Sequence, residues 1–175
     1  MRPYWLIPKE WLSSKADDLM TDFQEAGVFD HDSAVYNTWF ARWKNEWEID
    51  CSHCGNFDKH YNIEELCLID DFDLSWRYKC KECSKKFSVT SGTYLDNHKL
   101  PVEYWWRTAY LLGDFNIEVN SKWLANDLQL TQKTTYYMLI VIAKALGLKQ
   151  QSPLKTDKGT YDIMESLLTV VKKKC

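Results

Sequence analysis

Cys51-Ser-His-Cys54 and Cys80-Lys-Glu-Cys83 are two C-x-x-C pairs with 25 residues between them, and their reading decides the fold. Two intervening residues let a tight turn aim both sulfurs at one point. Two such knuckles supply four thiolates in a tetrahedron, which is a closed structural zinc site. Cys51, Cys54, Cys80 and Cys83 are therefore the expected ligands of one structural Zn2+. A closed sphere leaves no open position, so hydrolytic zinc chemistry is not implied. Gly55 relieves the backbone after the first knuckle. His53 lies between two ligands, but four sulfurs already fill the sphere. A redox use of the pairs would need a thioredoxin-like βαβ context, which the sequence lacks. Cys67 reads as a small buried hydrophobe in a strand, and the terminal Cys175 as a free thiol.

Short β-like runs surround the knuckles at Glu64–Ile69, Leu74–Lys79 and Lys86–Thr90. The acidic turn Asp70-Asp71-Phe72-Asp73 separates the first two and reads as a solvated hairpin tip rather than a cation site. The second knuckle carries Arg77, Lys79, Lys81, Lys85 and Lys86, the one dense basic cluster outside the tail. These side chains are expected either to contact phosphate or to guard a ribbon edge against pairing.

Helices are predicted on both sides. One follows Ser14 and stops at Gly27. A second runs from Ala34 to Glu48, capped by Asp32 or Ser33. Its aromatics Tyr36, Trp39, Phe40, Trp43 and Trp47 form a stripe that reads as a packing face, not a stacking platform. Beyond the ribbon, Pro101 opens a helix over Val102 to Leu112. Ser121 caps Lys122 to Leu128, Thr131 caps Gln132 to Leu146, and a last helix covers Tyr161 to Lys173, with Met164, Leu167, Leu168 and Val171 inward. The predicted class is α+β: mostly helical, with a small three-stranded antiparallel zinc ribbon inserted between an N-terminal helical segment and a C-terminal helix-turn-helix bundle. The expected boundaries are 1–50, 51–99, 100–150 and 151–175.

Residues 121–146 read as helix, three-residue turn, helix. Leu124, Ala125 and Leu128 would pack on Thr135, Met138, Leu139 and Ile142, with Leu130 plugging the turn. The second helix would present Gln132, Lys133 and Thr134 to a major groove, with Tyr136 and Tyr137 near the backbone. Tyr136 to Ala143 carries no charge. A helix apolar all round is enclosed, either by neighbouring helices or by a second copy in a homodimer.

The whole chain has 175 residues and a formal net charge of −3, which argues against a general polyanion binder. Residues 1–50 hold five basic against ten acidic side chains, whereas residues 101–175 are net basic. Nucleic-acid contact must therefore be local. The longest apolar run, eight residues, is too short to span a bilayer. The N-terminus lacks a secretory pattern, and the six glycines are too scattered for a phosphate-cradling loop. A cytoplasmic protein with reduced cysteines is expected.

Tyr78-Lys-Cys-Lys-Glu-Cys-Ser-Lys-Lys-Phe-Ser-Val-Thr-Ser-Gly-Thr93, followed by Lys99-Leu-Pro101 and Trp105-Trp106, resembles the zinc-ribbon region of bacterial insertion-sequence transposases of the DDE type. Their pattern is similar to Y-x-C-x-x-C-x-x-x-F-S-x-T-x-G-T, then K-L-P and an aromatic helix. Trp123 to Thr134 resembles the helix-turn-helix that follows it, with Gln129 where the family turn carries glycine. The resemblance covers about residues 48–146 and implies recognition of mobile-element ends. It puts the metal on the four cysteines and DNA around Lys133, Thr134 and the second knuckle. It does not carry over catalysis. The 28 residues after Gly147 hold three acids, Asp157, Asp162 and Glu165, in or beside one short helix. The expected function is a non-catalytic, zinc-stabilised binder of double-stranded DNA, a mobile-element or phage-derived regulator. The alternative is a protein-interaction module on the same scaffold, gripping a phage, host or transcription-machinery protein. A truncated or partner-dependent active transposase ranks below both.

Overall fold

The structure, a computed structural model, describes residues 31–43, 49–57, 59–66 and 74–171. The predicted helix before Gly27, the turn 70–73, Cys67 and Cys175 lie outside these residues. Among the described residues the order is α1 (His31–Trp43), β1 (His60–Leu66), β2 (Leu74–Cys80), β3 (Lys86–Ser88), α2 (Val102–Leu112), α3 (Ser121–Leu128), α4 (Gln132–Ala145) and α5 (Thr160–Leu167). The fold is mostly helical, with a three-stranded antiparallel sheet in the order β1-β2-β3 inserted between helical segments.

α1 starts earlier than the stripe suggested, so Asp32 and Ser33 fall inside the helix rather than at its cap. It serves two cores. Ala34, Val35 and Ala41 join α2–α5 in a large apolar cluster. Trp39 and Trp43, four residues apart on another face, join Ile49, Cys51, Tyr78, Cys80, Phe87 and Val89 in a smaller cluster around the knuckles. Phe40 packs against that second cluster. Trp47 and the Tyr36 side chain lie outside the described part. α1 is tied to α2 where Trp106 Nε1 donates to Thr38 Oγ1 at 2.9 Å.

β1 begins four residues before the predicted strand. Its polar start pairs along β2, with His60 opposite Cys80, Tyr61 opposite Lys79 and Asn62 opposite Tyr78, before the register shifts through Glu64 and Glu65. Pairing thus overrides propensity in this segment. β3 is shorter than expected and stops at Ser88. The Ser88 N–H donates to Ser91 Oγ at 2.8 Å, and the Ser91 N–H returns to the Ser88 carbonyl at 3.0 Å, closing a turn.

Pro101 occupies the position before α2, not its first turn. Gly113 ends α2 against α5. A Cβ there would lie 2.3 Å from the Thr160 backbone nitrogen, so the close approach excludes any side chain. Asn120, not Ser121, caps α3, accepting from the Trp123 N–H at 2.8 Å. Ser121 is buried in the first turn, and its carbonyl accepts from Thr135 Oγ1 at 2.7 Å, which pins α3 to α4. Thr131 does cap α4, accepting from the Thr134 N–H at 3.2 Å. The residues expected at the contact of these helices, Leu124, Ala125, Leu128, Thr135, Met138, Leu139 and Ile142, are all buried.

α5 is the largest departure. It ends at Leu167, not Lys173, because the chain turns to lay an extended segment on the strand-to-helix connection. Val170 bridges Thr93, and the Val171 N–H donates to the Gly92 carbonyl at 2.7 Å. Val171 is therefore exposed instead of lying on the inward face of a helix.

Gln129 holds the turn between α3 and α4 at φ +54°, ψ +38°, the left-handed region where the resemblance expects glycine. A side chain there costs about 1–2 kcal/mol, while glycine adds about 0.5–1 kcal/mol of unfolded-state entropy. Gln129→Gly is therefore expected to raise stability by about 0.5 kcal/mol. Urea unfolding with the metal bound checks it, and a loss of stability would contradict the strain argument.

Candidate metal centre

The two knuckles are built alike. In the first, the Cys51 N–H donates to the Asn56 carbonyl at 3.0 Å, and Asp50 bridges Phe57. In the second, the Cys80 N–H donates to the Lys85 carbonyl at 3.0 Å. The residue after each second cysteine is left-handed, Gly55 at φ +71° and Ser84 at φ +59°. The first cysteine of each pair points inward: Cys51 and Cys80 are buried, Cys54 is exposed and Cys83 lies between.

The four sulfurs converge within 4.8 Å of one another. Cys51 Sγ lies 3.7 Å from Cys83 Sγ, and Cys54 Sγ lies 3.6 Å from Cys80 Sγ. These are not disulfide distances, which are about 2.05 Å. A tetrahedron with metal–sulfur bonds of about 2.3 Å has edges of about 3.8 Å, so the spacing fits an ion held by four thiolates. Both of these contacts run between the knuckles, so the two pairs meet at one point. The cluster able to hold a metal contains these four groups and does not include His53, whose Nε2 lies 3.0 Å from the Lys86 carbonyl oxygen.

The surroundings prepare the sulfurs unequally. Burial pushes the Cys51 thiol up to about 12, against N–H donors from Cys54 and His53. Backbone N–H groups of Cys83 and Glu82 bring Cys80 down to about 7. Turn N–H groups aimed at sulfur favour the thiolate, the form that binds metal.

α1 braces the centre in a way the sequence reading missed. Trp43 Nε1 donates to Asp50 Oδ1 at 2.9 Å, one residue before Cys51. Trp39 Nε1 donates to Tyr78 OH at 2.8 Å, two residues before Cys80. The buried Arg42 side chain donates to the carbonyls of Val89 and Ser91, the latter at 2.9 Å, and lies 3.6 Å from Asp50. Burial lowers the Arg42 pKa and Asp50 opposes that shift. The only signal in the sequence was a cation set inside an aromatic stripe.

The other expected site residues fall into two places. Arg77, Lys79, Lys81, Lys85 and Lys86 are all exposed around the ribbon. Lys79 faces Lys86 directly across the strands. On α4, Gln132 and Lys133 are exposed, whereas Thr134 is partly buried, its Oγ1 2.8 Å from Thr131 Oγ1. Tyr137 is exposed but rests on His98, with ring centroids 5.5 Å apart. The uncharged run is enclosed by the chain itself from Met138 to Ala143, with Ile140 partly buried, while Tyr136 and Tyr137 are exposed. Burial of that run needs no second copy, so this reason for a homodimer falls away.

Comparison of the chain with protein-family models, with curated proteins and with solved structures finds no match. Among the described residues no helix is long and apolar enough to cross a membrane.

Proposed function

We propose that the chain is a non-catalytic DNA-binding protein, stabilised by one structural Zn2+, that resembles the end-recognition region of an insertion-sequence transposase and serves a mobile element or phage as a regulator in the cytoplasm. Four convergent thiols, with no disulfide spacing among them, favour zinc and a reducing compartment.

The observation that carries the DNA reading is the placement of Lys79 and Arg77. β2 is the central strand, so these side chains do not guard an edge. They alternate with buried Tyr78 and Cys80 and stand on the solvent face. Lys79 is set opposite Lys86, a like-charged pair that costs stability unless an anion sits on it. Phosphate would supply that anion. The second contact is the first turn of α4, where Lys133 is exposed after the capped turn. α3, the connection through Leu130 and α4 serve here as a helix-turn-helix whose α4 N-terminus enters a major groove.

Anisotropy of a fluorescent random duplex, followed against salt, tests the proposal. Binding should weaken steeply with salt. Lys79→Ala and Lys133→Ala should each lower the slope of log affinity against log salt by about 1. No binding to duplex at low salt would sink it. A second reading, a protein-interaction module, draws on exposed Trp123, Tyr136 and Tyr137 on α3 and α4. It expects a retained protein partner that is lost on Tyr136→Ala and no salt-sensitive duplex binding.

A further inference from the structure

The ribbon's solvent face carries more than charge. Tyr61 of β1, Lys79 of β2 and Lys86 of β3 form one row straight across the three strands. With strands about 4.8 Å apart, the row is about 10 Å long. Lys81 stands beside it, its Nζ 4.7 Å from the centre of the Tyr61 ring. That ring is still 58% exposed, and Phe57, where the first knuckle closes, is 61% exposed. Two large aromatic side chains left in water oppose the hydrophobic effect, while the ribbon's other face is packed with Trp39, Trp43, Tyr78 and Phe87. Tyr61, Lys79, Lys81 and Lys86 therefore give the ribbon an aromatic-and-cation face, and Phe57 adds a second open ring where the first knuckle closes.

We infer that this face holds single-stranded nucleic acid, with bases stacked on Tyr61 and Phe57 and the backbone phosphates on Lys79, Lys81 and Lys86. The chemistry favours an unpaired strand over a duplex. A ring lying open on a sheet surface offers a stacking platform only to a base whose own face is free. In a duplex that face is covered by the neighbouring pair. It also favours a nucleic acid over an acidic peptide, which would use the lysines and leave both rings unused. The inference rests on the proposed nucleic-acid role but makes a separate claim: the ribbon lysines meet phosphate in both readings, and only an unpaired strand uses the rings.

The test uses the full zinc-loaded chain and four probes: oligothymidylate, oligouridylate, a random duplex and polyglutamate. Tyr61→Ala is expected to weaken strand binding about 5- to 150-fold, the loss of one stacked base, with duplex binding unchanged. Tyr61→Phe should retain strand binding. Lys133→Ala should weaken the duplex and spare the strand. Thymidylate against uridylate distinguishes a DNA from an RNA source, and tight binding of either supports the inference. If Tyr61→Ala releases zinc, Phe57→Ala takes its place, with the same expected loss. The inference is overturned by three results: no strand binding at low salt, strand binding unmoved in the aromatic variants, or polyglutamate competing as well as an oligonucleotide. A chain that binds the strand and not the duplex overturns the proposed duplex binding and leaves this inference standing.

Discussion

Removing the metal with a strong chelator at pH 7 is expected to unfold the ribbon and strip α1 from it, while α2–α5 keep their helical signal. Cys51 and Cys80 sit in the smaller core with Trp39 and Trp43, and Cys83 packs against it, whereas the buried residues of the larger core come from α1 and from Leu95 onward, with none of the four cysteines among them. Structural zinc supplies about 10–16 kcal/mol in small finger domains, comparable with the whole stability of an ordinary domain. A three-stranded ribbon whose core, among the described residues, is eight buried side chains including two from α1 cannot replace that. The expected readouts are about one zinc released per chain, a red shift of tryptophan emission and loss of near-ultraviolet dichroism, with far-ultraviolet ellipticity only partly reduced. Cys51→Ala should reproduce the change without chelator. A chain that purifies without metal, or whose tryptophan spectrum ignores the chelator, would refute the assignment.

The same site gives a pH dependence of definite sign. Zinc binds thiolates, so protons compete with it. In the metal-free, unfolded ribbon a cysteine thiol titrates at about 8.5, so it holds its proton through the neutral range and must lose it when metal binds. Affinity should therefore fall as pH is lowered, and zinc should be released on acidification.

Legibility in the sequence followed the range of the physics. The four cysteines were readable because a C-x-x-C knuckle is a local object, fixed by turn geometry and by the demand for four donors. Thr131 at the start of α4, and the buried pairs Leu124 and Leu128 against Met138 and Ile142, were readable because capping and helical spacing are local too. What failed depended on partners far along the chain. α5 was predicted too long because nothing in residues 168–171 announces the bridge from Val170 to Thr93. β1 was placed too late because His60, Tyr61 and Asn62 are strand only by pairing with Cys80, Lys79 and Tyr78. The stripe on α1 was correctly read as a packing face, yet its destination was hidden. A period of three and four says that Trp39 and Trp43 are buried and cannot say that they lie against the knuckles. The edge-guard explanation does not hold for Arg77 and Lys79, which stand on the central strand, although Lys86 does lie on the edge strand β3; strand order is not visible in a run of basic residues.

That hidden destination gives the second large effect. Trp43→Ala is expected to destabilise the zinc-loaded chain by about 3–5 kcal/mol, the usual cost of deleting a large aromatic side chain from a core. Trp43 is 1% exposed. Its ring lies 5.4 Å from Tyr78, 6.0 Å from Trp39 and 6.4 Å from Phe87, all edge-on, and the Arg42 guanidinium sits 4.9 Å from its centre. Trp39, Tyr78 and Phe87 belong with Cys51 and Cys80 to the smaller core, so the cavity opens there instead of in the helical bundle. Two readouts follow. Urea unfolding should show the full loss, and zinc should transfer to a competing chelator faster than from the parent chain. Trp43→Phe separates the two parts of the effect. It keeps most of the apolar contact but removes the Nε1 donor to Asp50, and should cost about 1–2 kcal/mol through the unmet carboxylate, which Arg42 partly retains. If Trp43→Ala lost stability while zinc transfer stayed at the parent rate, α1 would be packing on the ribbon without bracing the metal. The knuckles would then stand on their own turns and thiolates.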